Sequence, residues 1–485
     1  MCRKKKRVIH PRYHSPCQTP YTALRSLLSV ALSSGMVKSN LIIPFISDKV
    51  NVQPFRRHCS VISDEGVQFK TARVFNSTAI FTLGACMIQA EYGYSDEEIT
   101  LQIQENAYLQ YFCGYEAYDD GKPPFDSSSM VYFRKRLTPE ILGDINEMIL
   151  SRNKTEEDTD DNDGNNDSNS GTIIVDATCA PSQIKYPQDA NLLNQARKST
   201  EQLIDRLHTP GENKPRTYRK KAYKDYLALV RCRKPAAKKI RKAIGKQLSY
   251  LRRNLESIEK QLHQGKALTP AEQNRLIVIQ KVYEQQKYMY DNHTHSVPDR
   301  IVSLSQPWIR PIVRGKAGKP VEFGAKLDIS VVDGFTRLGY LSFDAYNEAG
   351  TLRQTIEKYR ERTGHYPARV LADKIYRNRD NLNFCKEHGI RLSGPALGRP
   401  KKDELPDLKQ NYIDECERVE VERRLSLAKR KCNLGMVTAK LTDTAFHCIA
   451  MSIVVLNLRK LMLSLPDFLK QHFLYFGFFV FSFIQ

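Results

Sequence analysis

The chain has 485 residues and carries 75 Lys+Arg against 54 Asp+Glu, a formal net charge of +21. With 41% hydrophobic and 27% charged residues it is too apolar for wholesale disorder, and its length allows roughly two to four domains. The positive excess implies a polyanionic partner, nucleic acid before a membrane surface. Eleven cysteines are scattered without any C-x-x-C pair, which excludes a zinc knuckle or redox dithiol and reads as reduced thiols of a cytoplasmic protein.

Residues 1–60 are basic, Ser-rich and weakly periodic, a poorly structured tail. The run from Arg3 to Arg7, followed by an apolar stretch over 24–32, imitates a secretory signal. Arg25 interrupts it and no small-residue cleavage site follows. Residues 61–151 read as an all-α N-terminal domain. Ser95-Asp96-Glu97-Glu98 is a capping box that opens a helix through about residue 110. Asp126 or Ser127 caps a second helix holding Phe133, Arg134, Lys135 and Arg136. Thr138-Pro139-Glu140 starts a third, since proline suits the first helical position. Small helices with a basic triplet suit a helix-turn-helix-like DNA-binding module, with Arg134, Lys135 and Arg136 as phosphate contacts; a plain helical bundle is the alternative.

Residues 155–170 hold seven carboxylates in low-complexity sequence and read as an acidic linker. They do not form a calcium loop: with Gly164 as the loop glycine, the first and twelfth positions are Thr159 and Ser170. Beyond the linker, strand and helix signals alternate over 171–196 and 298–465, which predicts an α/β domain. Strands are expected over 172–176, 321–332, 338–345 and 368–373, and helices over 349–361, 378–388 and 415–462.

The α/β pattern is interrupted over 197–297. Between 211 and 290 there are 21 Lys+Arg and only six Asp+Glu, so most of the positive excess lies here. Ile240, Ile244, Leu248, Leu251, Leu255, Ile258 and Leu262 form a nearly heptad stripe, and Thr269-Pro270-Ala271-Glu272 caps a returning helix. This predicts an inserted antiparallel helical hairpin, basic outside, that contacts phosphates. The last segment, 466–485, is an apolar tail. Its run over 473–484 has 12 residues, short of the roughly 20 that span a bilayer, so no membrane partner is expected.

Three acids stand out. Asp176 closes the apolar run Ile173-Ile174-Val175, and Asp373 closes Val370-Leu371-Ala372, each where a buried strand meets solvent. On the last helix Arg418, Glu422 and Lys429 share a wedge about 40° wide, bordered by an apolar stripe of Val421, Leu425, Ala428 and Cys432. Two aspartates and a glutamate are hard oxygen donors, suited to two Mg2+ or Mn2+ ions that activate a nucleophile for phosphodiester transfer. Arg418 can orient the glutamate or a phosphate, and Lys429 can bind a phosphate as a point charge. Arg314 and Lys316 belong to a basic loop, Arg310 to Lys319, that suits a phosphate clamp and lacks Walker spacing.

At this point the sequence resembles the insertion-sequence DDE transposases, the class with the signature Y-x2-R-x3-E-x6-K. Arg418-x3-Glu422-x6-Lys429 matches the last three positions without a gap. Glu415 stands at the tyrosine position, with Tyr412 one turn earlier, and Arg423 and Leu425 replace the usual glycine and aromatic residue. Further similarity lies over 132–140, 175–187, 310–318, 322–335 and 372–381. The resemblance implies an RNase H-like core with Asp176, Asp373 and Glu422 as its three acids. It also implies cut-and-paste chemistry by a dimer on double-stranded DNA, cleaving at terminal inverted repeats and joining to target DNA at the nucleoid. Two other readings share the residues: a repurposed transposase that only binds DNA, and a nuclease without strand transfer.

Overall fold

The computed structural model describes residues 81–115, 118–151, 169–313, 321–394 and 408–464. The expected tails over 1–60 and 466–485, most of the acidic linker, and Arg314 and Lys316 lie outside these residues.

The sheet is built around β1 (Thr172–Pro181). On one side β1 pairs antiparallel with β3 (Val321–Val332), from Ile174 opposite Val331 to Pro181 opposite Gly324. β3 in turn pairs antiparallel with β4 (Phe335–Ser342), and at its start with the short β2 (Pro311–Val313). On its other side β1 runs parallel to β5 (Arg369–Leu371), which is parallel to β6 (Arg391–Leu392). Gly324 is required where β1 and β3 meet: a Cβ there would lie 2.0 Å from the Ala180 carbonyl oxygen.

Period-two alternation sends the strand residues to two different cores. Ile174, Ala180, Ala325, Leu327, Ile329 and Val331 enter the larger one. Ile173, Val175, Val332 and Val370 enter the smaller, which α10 (Leu352–Thr363) and α11 (Arg379–Glu387) cover. The larger face is covered by α12 (Leu408–Lys431) and α13 (Thr442–Ser464). A single helix was expected over 415–462; the chain instead breaks between these two at Asn433, whose backbone is left-handed (φ 59).

The N-terminal helices do not form a separate globule. They are α1 (81–92), α2 (Asp96–Glu105), α3 (Ala107–Phe112), α4 (Ser129–Arg136) and α5 (Pro139–Ser151). The helix expected through residue 110 breaks at Asn106, whose side chain accepts from the amides of Tyr108 and Leu109 and so caps α3. Met130, Phe133, Leu142 and Ile145 share the large core with α13 and the sheet. Asn457, fully buried on α13, fastens the three parts: its amide donates to Asn146 Oδ1 (2.8 Å) and the Thr336 carbonyl (2.6 Å), and accepts from the Thr336 amide. Service to two neighbours explains why α13 is apolar all round. Over Thr442–Leu461 it is long and apolar enough to cross a membrane, yet 78% of that window is buried inside the protein.

The insertion is larger than a hairpin. Its helices are α6 (Asp189–Leu207), α7 (Arg219–Val230), α8 (Ala237–His263) and α9 (Pro270–Asp291). The boundary expected at residue 197 falls inside α6, because Leu192, Leu193 and Ala196 pack with Leu248 and Leu251 of α8 and Ile279 and Val282 of α9. The heptad stripe of α8 therefore serves α6 as well as α9. The Thr269–Glu272 capping box at the start of α9 is present.

Candidate active site at the sheet edge

Register brings two of the three acids together. Ile174 of β1 stands beside Leu371 of β5, the last paired position of the parallel ladder. Asp176 and Asp373 each lie two residues further on, at equivalent places beyond that ladder. Neighbouring strands run about 5 Å apart, so the two carboxylates share one corner of the sheet. β1 does not stop at Asp176 as expected; its antiparallel partner β3 carries it on to Pro181. The sheet edge at Asp176 is thus the end of the parallel half only.

Asp176 is half-buried on the face toward α12, and its Oδ1 accepts from the Ala177 amide at 2.8 Å. Burial holds its carboxyl above the ordinary aspartate range. The Ala177 amide and Arg418 oppose that shift, while the Glu348 and Asp373 charges add to it. Asp373 is exposed and caps the short 3-10 turn Lys374–Tyr376, accepting from the Lys374 amide at 2.7 Å. Ser393 fixes the strand end behind it, accepting from the Ala372 amide at 3.0 Å.

α12 crosses β1 with the orientation expected. Val421, Leu425, Ala428 and Cys432 are buried against the sheet. Arg418 acts on the Asp176 charge, and Lys429 donates to Thr178 Oγ1 at 2.8 Å, one pleat along the same face of β1. Glu422 stands apart from the aspartates: its side chain is 57% exposed and pairs with Arg418 at 3.5 Å. Among the described residues no three His, Cys, Asp or Glu side chains converge closely enough to hold a metal ion between them. The donor chemistry at the corner nonetheless fits a hard divalent cation, since Asp176 and Asp373 are both carboxylates and the Asp373 charge adds to the cost of ionising Asp176.

The sequence reading missed Glu348. It begins the 3-10 turn Glu348–Thr351, pairs with Lys326 of β3 at 2.8 Å, and acts on the Asp176 charge. The buried Asn381 amide ties this turn to the one after Asp373, donating to the Ala349 and Tyr376 carbonyls at 2.8 Å each. Behind it Asp328, buried on β3, accepts from Tyr346 Oη (2.6 Å) and from Thr351 Oγ1. Burial raises the Asp328 carboxyl, and these two hydrogen bonds work against it. Asp328 had a signal, a carboxylate inside an apolar strand run; Glu348, in a loop sequence, had none.

The basic triplet separates by burial. Arg134 is buried and ion-paired with Asp96, Arg136 is half-buried with its guanidinium pKa lowered by desolvation, and only Lys135 is exposed. Arg134 thus holds α4 to α2.

Two family models match parts of the chain. A family model described as a transposase DDE domain matches residues 370–459, which include Asp373, Arg418, Glu422 and Lys429. A second, a transposase domain (DUF772), matches residues 78–136. The chain is 29% identical over 124 residues to a Rhizobium meliloti protein described as uncharacterized protein ORF8 in the nfe locus, covering 25% of this chain. The match spans about half of that relative, 54% of its length. No solved structure matches the chain. Both models describe transposase domains and match near the two ends of the described residues, so the chain is similar there to insertion-sequence DDE transposases.

Proposed function

We propose that the protein cleaves DNA at the ends of a mobile element and joins the freed 3′-hydroxyls to target DNA, as a homodimer on terminal inverted repeats. The observation that carries this reading is the register that sets Asp176 and Asp373 side by side beyond the β1–β5 ladder, under a helix bearing Arg418, Glu422 and Lys429. A sheet antiparallel on one side of β1 and parallel on the other, with acids where the parallel strands end, supports an RNase H-like core.

Asp176, Asp373 and Glu422 are the residues that would hold two divalent ions, Mg2+ or Mn2+. Bound there, the metal supplies an activated water or hydroxyl and stabilises the leaving oxygen. Arg418 balances the charge of Asp176 and keeps Glu422 on the helix face beside it. Lys429, anchored on Thr178, presents a cation along the strand that carries Asp176, where a scissile phosphate needs one. The reaction belongs to the cytoplasm, at the nucleoid.

A second reading, a protein that binds DNA without cutting it, is favoured by one observation: Glu422 is solvent-exposed and paired with Arg418 instead of facing the aspartates. Labelled duplex ends incubated with Mg2+ or Mn2+, beside a Glu422→Gln control, separate the two. Metal-dependent nicking or joining that the control lacks establishes the enzyme; binding with no product under either metal establishes the second reading. Nicking without joining identifies a nuclease.

A further inference from the structure

The insertion presents its charge in one place. From Arg231 to Lys242 there are seven Lys or Arg and no carboxylate. They occupy the connection between α7 and α8 and the first turns of α8, and Arg231, Arg233, Lys234, Lys238, Lys239 and Lys242 are all exposed. Lys238, Lys239 and Lys242 form no ion pair among the described residues. This is costly for the free protein. α8 starts from Ala236 without a side-chain cap or an acid in its first turn, and Lys238 and Lys239 stand at the positive end of its dipole.

The charge continues into a groove of about 520 Å³ between α8 and α9, lined by Lys242, Lys246, Arg252, Arg253, Lys287 and Tyr290 among others, with no carboxylate in its wall. Gly245 makes room for it: a Cβ there would lie 2.7 Å from the Tyr290 hydroxyl. Arg241 stacks on the ring of Tyr290, a residue of the groove wall, at 4.1 Å. Lys246 and Lys287 are held by Asp225 and Asp291, which lie outside the groove wall.

Along α8, Lys238, Lys242, Ser249 and Arg253 lie within about 60° of one another, on the face opposite the apolar stripe. From 238 to 253 the row is about 22 Å long. A single small anion would use one part of such a row; duplex DNA, with one charge per about 1.7 Å of axis, faces all of it.

We propose that this groove and the cationic row leading into it form a binding site for the phosphate backbone of duplex DNA, distinct from the sheet edge. The inference rests on the proposed DNA substrate and adds where, away from the cut, the duplex is held. The contacts are to phosphates, so the site is indifferent to base sequence.

The test is the salt dependence of duplex binding by the full chain, wild type beside a variant with Lys238→Gln, Lys239→Gln, Lys242→Gln and Lys287→Gln. All four side chains are exposed, so the thermal melt should match wild type. The slope of log Kd against log salt should fall by about 0.9 for each lost phosphate contact, about 2 to 4 in all, with Kd weakened at least about tenfold near 0.15 M salt. An unrelated duplex should show the same change, and the matching four Lys→Arg substitutions should restore both slope and affinity. An unchanged slope in the variant overturns the groove as the site and leaves the catalytic reading intact. Cleavage lost in Asp176→Asn with its slope unchanged separates the two sites; wild type that binds no duplex overturns both readings.

Discussion

The sheet edge and the insertion use charge in contrasting ways. At the edge a few ionic groups are fixed by main-chain register: Asp176 and Asp373 stand two residues past paired positions, and Asn381 fastens the two neighbouring turns. In the insertion many cations lie on one helix face with no such fixing, and several carry no counter-charge. Chemistry on one phosphate needs a few groups held to fractions of an ångström. Holding a polyanion needs summed charge and tolerates motion. The Arg134 to Arg136 triplet shows why charge count alone misleads, since the same residue types there are largely used in packing.

The largest effect expected from breaking this contrast is at the edge. Asp176→Asn and Asp373→Asn should each lower the cleavage rate by at least about 10²-fold while duplex affinity in filter binding stays within about twofold. Cleavage at wild-type rate by Asp373→Asn would remove it from the site. Glu422→Gln and Glu348→Gln sharpen the same region. If Glu422 is the third acid, its substitution abolishes product and leaves the melt unchanged. Glu348→Gln leaves the Lys326 charge poorly compensated in a site where both partners are less than 20% exposed. It should cost on the order of 3 kcal/mol, read as a lower denaturant midpoint. A larger loss of cleavage in Glu348→Gln than in Glu422→Gln would move the third acid to the turn.

In the shared core, Ile329→Ala should cost about 2–5 kcal/mol, because Ile329 is 2% exposed opposite Asp176. His447 gives a pH signature. It is buried on α13, 2.7 Å from the Leu137 carbonyl, and burial lowers its pKa to about 4. A folded pKa below the unfolded value of about 6.5 means that the unfolded chain binds the proton first. Stability is therefore full above about pH 6.5 and falls as the pH drops toward 4, by up to about 3 kcal/mol. The midpoint of urea unfolding across that range measures it, and a profile without slope there would contradict the buried neutral ring. The smallest effect is a single exposed lysine of the insertion: Lys238→Gln should change Kd by only a few-fold and the salt slope by about 0.9 or less.

How much of this the sequence carried varies with the physics. The apolar stripe of α12 and its charged wedge were legible because helical spacing fixes direction, and Val421, Leu425, Ala428 and Cys432 are buried as that spacing requires. The strand-end aspartates were legible because apolar runs mark buried strands. The extension of β1 past Asp176 was not, since it depends on the partner strand β3, more than 140 residues away in sequence. Glu348 was hidden for the same reason: only tertiary pairing with Lys326 and the Asn381 clamp bring it near the aspartates. The burial of Arg134 likewise depends on Asp96, 38 residues earlier.

The knot at Asn457 has a consequence for how the protein comes into being. α13 is the last described helix to leave the ribosome, and it is the piece on which α4, α5 and β4 close. Until Leu461 has been synthesised, the inner faces of the first helices and of the sheet have no common partner, so the aspartates wait on an unfinished scaffold. A chain cut short before Thr442 therefore leaves these faces uncovered together and yields an aggregation-prone fragment instead of a partly folded scaffold.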